Sequence, residues 1–178
     1  MKTQFKEKLR RPVTATNSDR WAFITFPKEI SETLPRRGRT SVEGKLSGTP
    51  FQATLEPDGQ LSHWLRVDKE LLAASKVDFG EIVTVDIAPV QQEPEPAVPP
   101  DFHKALSAAP EARSTWDQTT TLARLDWVHW IESATQVKTR MKRINDACNM
   151  LSGGKKRVCC FDQSGFYSKA LHAPKEAI

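Results

Sequence analysis

Aromatic and basic residues in the last third of the chain have the types and spacing of a binding site. Trp127, His129 and Trp130 stand within four residues, a combination that can line a ligand pocket and that also occurs in helix cores. Arg140 and Arg143 follow, and an arginine guanidinium binds carboxylate and phosphate groups well. The pattern therefore predicts a site for an anionic ligand. A packed helix core for the tryptophans and a solvated helix face for the arginines are the alternatives.

A second basic group lies in the first half of the chain. Arg36, Arg37 and Arg39 follow one another closely, and Trp21 and Trp64 are available for stacking on bases, so nucleic-acid binding is an alternative function. This half carries 14 Lys/Arg against 12 Asp/Glu, a low surplus for a nucleic-acid-binding domain. We therefore rank nucleic acid below a small anionic ligand or a protein as the expected partner, and keep Arg39 as a candidate contact.

The remaining reactive residues predict no catalytic or metal site. His63 alternates with apolar residues, which favours a hydrogen-bonded core histidine, although it stays among the candidate binding residues. Cys148, Cys159, Cys160 and His172 are zinc-ligand types, but their spacing differs from that of zinc sites. Motifs of serine hydrolases, phosphate-binding loops and zinc proteases are missing. We expect a non-catalytic protein without metal or cofactor.

Composition and charge indicate a globular protein of the cytoplasm. Apolar residues make up 38% and charged residues 27%, and no run is long enough for a membrane helix, so we expect no membrane insertion. The three cysteines form a poor disulfide framework and are interpreted as reduced thiols. Both ends of the chain are basic and the middle is acidic, which either attracts an anionic partner or is neutralised within the fold.

The elements that would position these residues fall into two groups. Short β-branched and aromatic runs separated by turn residues predict five or six strands and a small β-barrel over residues 1–90. A proline-rich linker follows at 91–100, and a basic, weakly ordered tail is expected at 154–178. The region 101–153 between them is expected to be helical. The predicted fold class is α+β.

The main helical element carries an apolar stripe with a regular spacing of 3, 4, 3, 4, 3, 4 and 3 residues. Its members are Trp127, Trp130, Ala134, Val137, Met141, Ile144, Cys148 and Leu151. The stripe predicts a packing face on one long helix that ends at the glycine pair 153–154. A helical hairpin broken near 134–136 would use the same residues and is the alternative.

Several of these segments resemble one known family. Near the C-terminus they are IESA at 131–134, KTR at 138–140, KRI at 142–144, ML at 150–151, GKK at 154–156 and the approach VPPDFHKAL at 98–106. Upstream they are WAFI at 21–24, VEG at 42–44, GTPF at 48–51, His63 and GEIV at 80–83. The first set resembles the YdeI/OmpD-associated, or bacteriocin-protection, family. The second set is similar to the small β domain of unknown function that often precedes it.

The resemblance implies a double-split β-barrel followed by a helical region, in a bacterial cytoplasmic protein. It implies protection against bacteriocins or cationic antimicrobial peptides, and supplies no catalytic residues to carry over. We therefore expect a binding or accessory protein whose ligand site lies at the junction of barrel and helices. A homodimer is compatible with such a barrel.

Overall fold

The computed structural model describes residues 2–178 and has the predicted α+β fold, with six strands and six helices among those residues. The chain divides into two compact units. One, the sheet unit, runs to Gln92 and also takes up Ser164–Ile178. The other, the helical unit, is Glu93–Gln163.

The sheet unit contains one curled antiparallel sheet. Its strands are β1 (Thr3–Lys8), β2 (Ala22–Thr25), β3 (Thr40–Leu46), β4 (Thr49–Pro57), β5 (His63–Val67) and β6 (Ile82–Pro89), in the order β1-β6-β3-β4-β5-β2. Two short helices, α1 (Lys28–Ser31) and α2 (Lys69–Ser75), lie between strands. The five or six strands predicted from the alternating patterns are confirmed as six.

The inner face of the sheet encloses an apolar core because alternate residues along each strand point to the same side. Strands β3, β5 and β6 each contribute two or more of the buried side chains, namely Val42, Leu46, Leu65, Val67, Val83, Val85 and Ile87. The two outermost strands in the order also meet. Arg10, just after β1, and Phe23 of β2 exchange two backbone hydrogen bonds of 2.9 and 3.0 Å, so the sheet curls back on itself.

The last residues of the chain belong to the sheet unit. The Val13 amide donates to the Lys175 carbonyl at 2.9 Å, and the Ala177 amide donates to the Arg11 carbonyl at 2.8 Å. Glu176 accepts a hydrogen bond of 2.6 Å from Arg10. The predicted domain boundaries, which placed 154–178 in one separate tail, did not foresee these long-range contacts.

The helical unit consists of four helices. They are α3 (Pro100–Ser107), α4 (Pro110–Gln118), α5 (Thr121–Glu132) and α6 (Val137–Ser152). Prolines begin α3 and α4, where the missing N–H costs nothing. Thr120 is the N-cap of α5, and its side chain accepts a hydrogen bond from the Ala123 amide.

The sequence left open one long helix or a helical hairpin broken near 134–136, and the structure has two helices, α5 and α6. The break at 133–136 contains neither glycine nor proline, so no residue in it marks the boundary. The apolar stripe is not continuously buried either. Trp127 and Leu151 are fully buried, whereas Val137 and Met141 are 74% and 65% exposed. The core of the unit forms instead among all four helices, from Phe102, Leu106, Ala112, Trp116, Trp127, Val128, Ile131, Ile144, Ala147 and Leu151.

Candidate functional site

Arg140, predicted to bind an anion, already binds a carboxylate of the protein. Its Nε donates to Oδ2 of Asp101 at 2.7 Å and its Nη2 donates to Oδ1 at 3.0 Å, which joins the first turns of α3 and α6. The hydrogen bonds from Arg140 lower the pKa of Asp101, and those to Asp101 raise the pKa of Arg140. An external anion would have to compete with Asp101 for this guanidinium.

Arg143 lies one turn further along α6 and binds the end of α5. Its Nη1 donates to the Trp130 carbonyl oxygen at 2.7 Å and to Oγ of Ser133 at 2.9 Å. The Ser133 hydroxyl donates to the same carbonyl at 2.9 Å. These side chains satisfy a carbonyl that the helix end leaves without a helical partner. Within residues 2–178, Nε and Nη2 of Arg143 have no hydrogen-bond partner, so part of the guanidinium remains available.

The two tryptophans differ in what they can reach. Trp127 is fully buried, and its Nε1 donates to the Lys156 carbonyl at 3.2 Å, which matches the core alternative. Trp130 packs edge-to-face against it, with ring centres 6.2 Å apart, but is only half-buried. The Arg143 guanidinium carbon lies 5.5 Å from the centre of the Trp130 ring. Only Trp130 of this pair can contact a ligand without opening the core.

The N-terminal half of α6 concentrates positive charge. Lys138, Arg140, Lys142 and Arg143 fall within its first seven residues, at the end where the helix dipole is already positive. Lys142 binds Asp146 at 2.7 Å, as Arg140 binds Asp101. Among the described residues, Lys138 and Arg143 form no ion pair with a carboxylate. We call the side chains of Lys138, Arg140 and Arg143 together with Trp130 the α6 basic face.

His63 is a core histidine. It is 1% exposed, and its Nε2 lies 2.9 Å from the Gly38 carbonyl oxygen, which can only accept, so Nε2 carries the proton. Its Nδ1, 2.6 Å from Oγ of Ser31, therefore accepts from the serine hydroxyl. Burial lowers the pKa of His63 and keeps the ring neutral.

The arginines of the sheet unit are engaged with acceptors of the same unit. Arg37 Nη1 donates to the Leu61 carbonyl at 2.7 Å, and Arg36 Nη1 donates to the Arg39 carbonyl at 3.3 Å. Arg39 Nε binds both oxygens of Glu56, at 2.6 and 3.0 Å, and both side chains are largely buried. The cluster therefore offers fewer donors to phosphate groups than its sequence suggests.

Two surface depressions of the sheet unit contain none of the predicted site residues. One, of about 380 Å³, is lined by charges of both signs that include Lys45 and Asp86. The other, of about 250 Å³, lies beside Arg20, Lys76 and Asp78, and there Arg20 forms an ion pair with Asp78. Neither depression brings together residues that the sequence predicted to bind an anion.

Residues 2–178 provide neither a cluster of metal ligands nor a membrane-spanning helix. They contain no group of three or more His, Cys, Asp and Glu side chains that could hold a metal ion. None of their helices combines the length and apolarity required to cross a membrane. The prediction that the protein lacks cofactors and catalytic residues remains a prediction.

The hydrogen-bond partners of Arg140 and Arg143 could not be predicted from local sequence patterns. Asp101 lies 39 residues before Arg140, and Ser133 lies ten residues before Arg143. Asp101 lies in the first turn of α3, where a carboxylate is favourable for the helix dipole. The folding of α3 against α6 gives it a second role.

Comparison with known proteins confirms the resemblance found in the sequence. Residues 95–154 match the bacteriocin-protection, YdeI or OmpD-associated family. Residues 5–87 match a domain of unknown function, DUF1905. A comparison with curated proteins gave no match. The first matched segment contains all four helices of the helical unit, and the second contains most of the six-stranded sheet.

Proposed function

We propose that this chain, in which a DUF1905 segment precedes a bacteriocin-protection, YdeI or OmpD-associated segment, is a non-catalytic binding protein acting in tolerance to bacteriocins or cationic antimicrobial peptides. The α6 basic face would bind an anionic group of a small ligand or of a partner protein. The observation that carries the proposal is the state of Arg143. Its guanidinium is fixed by Trp130 and Ser133 while Nε and Nη2 keep unused donors.

Fixed donors favour binding because little side-chain entropy is lost when the ligand arrives. Arg143 is held by two hydrogen bonds and by the Trp130 ring, and Arg140 is held by Asp101. Lys138 adds a further positive charge in the first turn of α6. Such a group of donors suits a carboxylate or a phosphate, which accepts several hydrogen bonds at once.

The charge of this face also limits what it can bind. A cluster of cations at the positive end of a helix dipole repels a cationic peptide. Tolerance would therefore not arise from direct capture of the peptide by the α6 basic face. The proposal assigns the face to an anionic molecule of the host, on which the protective effect would depend.

The test compares Arg143→Gln with Arg113→Gln. Arg113 is a matched control because it is also a helix-surface arginine, and it pairs with the exposed Asp117 on the same helix, α4. Each variant is returned to a host strain that lacks the chain, and survival is measured against a cationic antimicrobial peptide. Each is also purified gently from that host and examined by native mass spectrometry for a bound anionic molecule. Circular dichroism and thermal unfolding verify that both fold.

We expect Arg143→Gln to lose both the tolerance and the bound molecule, and Arg113→Gln to keep both. A folded Arg143→Gln protein with full tolerance and an unchanged bound molecule would overturn the proposal. A parallel preparation without nuclease tests the alternative function. Nucleic acid that is bound at low salt, released at high salt and lost in Arg37→Gln would replace the proposal by a nucleic-acid-binding regulator.

A further inference from the structure

Two adjacent thiols lie in the helical unit outside the α6 basic face. Cys159 and Cys160 are both exposed, and their sulfur atoms lie 2.8 Å apart. Neighbouring side chains along an extended chain point in opposite directions, so this approach requires a special local conformation. It is supplied by Cys160, whose φ of +63° lies in the left-handed region that residues other than glycine seldom adopt.

The segment that carries the thiols is anchored on both sides. Before the pair, the Lys156 carbonyl accepts the hydrogen bond from Trp127, and Val158 packs on the helical core. After the pair, the Phe161 ring packs edge-to-face on His129 at 5.0 Å, and Gln163 Nε2 donates to Asp126 Oδ2 at 2.9 Å. Three of these four contacts are to side chains of α5. The two thiols are thus presented from a short segment that is fixed at both ends.

A disulfide between the two residues would be strained. Consecutive Cα atoms lie about 3.8 Å apart across a trans peptide, whereas disulfides usually span about 4.4–6.8 Å between Cα atoms. A strained disulfide is more easily reduced, so the two free thiols are the stable form in a reducing compartment. The pair is therefore available as a two-sulfur ligand.

The number of sulfur atoms and the distance between them determine which kind of metal or metalloid centre can bind. A structural zinc ion requires four ligands, and residues 2–178 supply no cluster of three. A metal that binds two sulfurs in a line would hold them roughly 4.6 Å apart, twice a bond of about 2.3 Å. A pyramidal centre bonded to both sulfurs at near a right angle tolerates a much closer pair and needs no third protein ligand.

We propose that Cys159 and Cys160 form a chelating site for trivalent arsenicals. With phenylarsine oxide, each sulfur forms one bond to arsenic, the arsenic–oxygen bond breaks, and the two thiol protons leave with that oxygen as one water molecule. Arsenic stays trivalent, so no oxidant or reductant takes part. The phenyl carbon occupies the third position of the pyramid. This site is independent of the α6 basic face and of the function proposed for it.

The protonation of the pair is compatible with this reaction. Hydrogen bonding with Cys159 raises the pKa of Cys160, while Lys155 acts in the opposite direction. Because the thiol protons are consumed in forming water, the affinity for phenylarsine oxide should change little between about pH 6 and pH 7.5. A metal ion that binds thiolates would instead release protons and bind more tightly as the pH rises.

The test uses the full chain, reduced and freed of reductant, with phenylarsine oxide as the probe. Intact-mass spectrometry in an excess of a monothiol should find one phenylarsine per chain, with the mass of one water lost. Cys159→Ser and Cys160→Ser should each weaken binding roughly 100-fold or more, because the second bond is then no longer intramolecular. Cys148→Ser is the matched control, since this half-buried thiol of α6 belongs to the helical core, and it should bind as the unaltered chain does.

Three results would overturn the proposal. They are the absence of an adduct in the reduced chain, retention of the adduct by both single variants of the pair, and loss of the adduct in Cys148→Ser. An affinity that rises about tenfold for each pH unit would also overturn it in favour of a thiolate metal site. The serine variants are exposed replacements outside the core, so loss of folding is not expected and is checked by circular dichroism.

Discussion

Asp101 and Arg140 form a bidentate ion pair that links the beginning of α3 to the beginning of α6. Asp101 also accepts a hydrogen bond of 2.9 Å from the Phe102 amide, whose side chain is fully buried in the helical core. One carboxylate thus orients a helix start and occupies an arginine that, by its sequence context, was expected to bind an external anion. The protein supplies its own anion at this position.

Replacing this internal anion should separate the two roles of Arg140. We expect Asp101→Asn to lower the free energy of unfolding of the helical unit by about 0.2–1 kcal/mol, because both partners are partly exposed. It should also strengthen the binding of inorganic phosphate to the α6 basic face, since Arg140 no longer has a competing carboxylate. Chemical denaturation and an NMR titration measure the two effects.

The matched control for this change is Asp117→Asn, which removes the exposed partner of Arg113 on α4. It should affect stability slightly and phosphate binding not at all. If Asp101→Asn and Asp117→Asn bind phosphate equally, Arg140 has only a structural role.

The acid sensitivity of the helical unit should depend on Glu95. Hydrogen bonds from Arg124 first, and from Thr121 second, lower the pKa of Glu95 to about 2. An unfolded glutamate has a pKa of about 4.3, so the stabilisation is complete above that pH and is lost as the pH falls towards 2. Glu95 is 58% exposed, and solvent screening should limit the effect to about 1 kcal/mol. Glu95→Gln should remove this part of the pH dependence of unfolding.

Glu111→Gln on α4 is the control for Glu95→Gln, since Glu111 forms no ion pair within residues 2–178. Its curve of unfolding free energy against pH should run parallel to that of the unaltered chain. Equal acid sensitivity in both variants would show that the ion pair between Arg124 and Glu95 does not contribute to the unfolding free energy.

On acidification, the sheet unit should begin to lose stability at a higher pH than the helical unit does, because of His63. Burial lowers the pKa of this histidine in the folded state below the value of about 6.5 for an unfolded chain. The stabilisation is therefore present above pH 6.5 and decreases as the pH falls from there towards the folded-state pKa. His63→Gln should flatten the unfolding free energy in this window, whereas His172→Gln, at an exposed position, should not. Thermal unfolding followed between about pH 7.5 and pH 5 tests this difference.

Gly44 should tolerate no side chain. It lies opposite Ile87 in the pairing of β3 with β6, and a Cβ atom at this position would stand 1.7 Å from the Asp86 carbonyl oxygen. Because the obstacle is backbone, the two strands would have to separate, and we expect Gly44→Ala to cost about 3 kcal/mol or more. Gly153→Ala is the control, since its nearest atoms would lie at 3.5 and 3.6 Å. Equal urea midpoints for both variants would contradict the expectation.

The sequence predicted the strands better than the helices. Alternation and turn residues predicted five or six strands, and six are observed, because each pattern is completed within one strand and its turn. The helix break at 133–136 was left as an alternative because its signals are long-range. Arg143 reaches back ten residues to Ser133 to satisfy the end of α5, and no glycine or proline stands there.

Only part of the candidate site was predicted, because its remaining contacts are also long-range. Residue types identified Arg140 and Arg143 as suited to anions, but not the partner 39 residues away that occupies Arg140. The cysteine pair was visible in the sequence as two adjacent thiols. Its anchoring to α5 through Trp127 and His129 depends on tertiary contacts that no spacing rule contains.

The contact between Arg10 and Phe23 has a consequence for how the protein behaves in a concentrated solution. A sheet with two open edges offers rows of unpaired amides and carbonyls to which strands of another molecule can add, a common route to aggregation. Here β2 has only four residues, and its Phe23 is already bonded to the continuation of β1. The backbone amide and carbonyl of Phe23 are therefore closed by the chain itself, which removes part of the template that β2 would offer to a strand of another molecule.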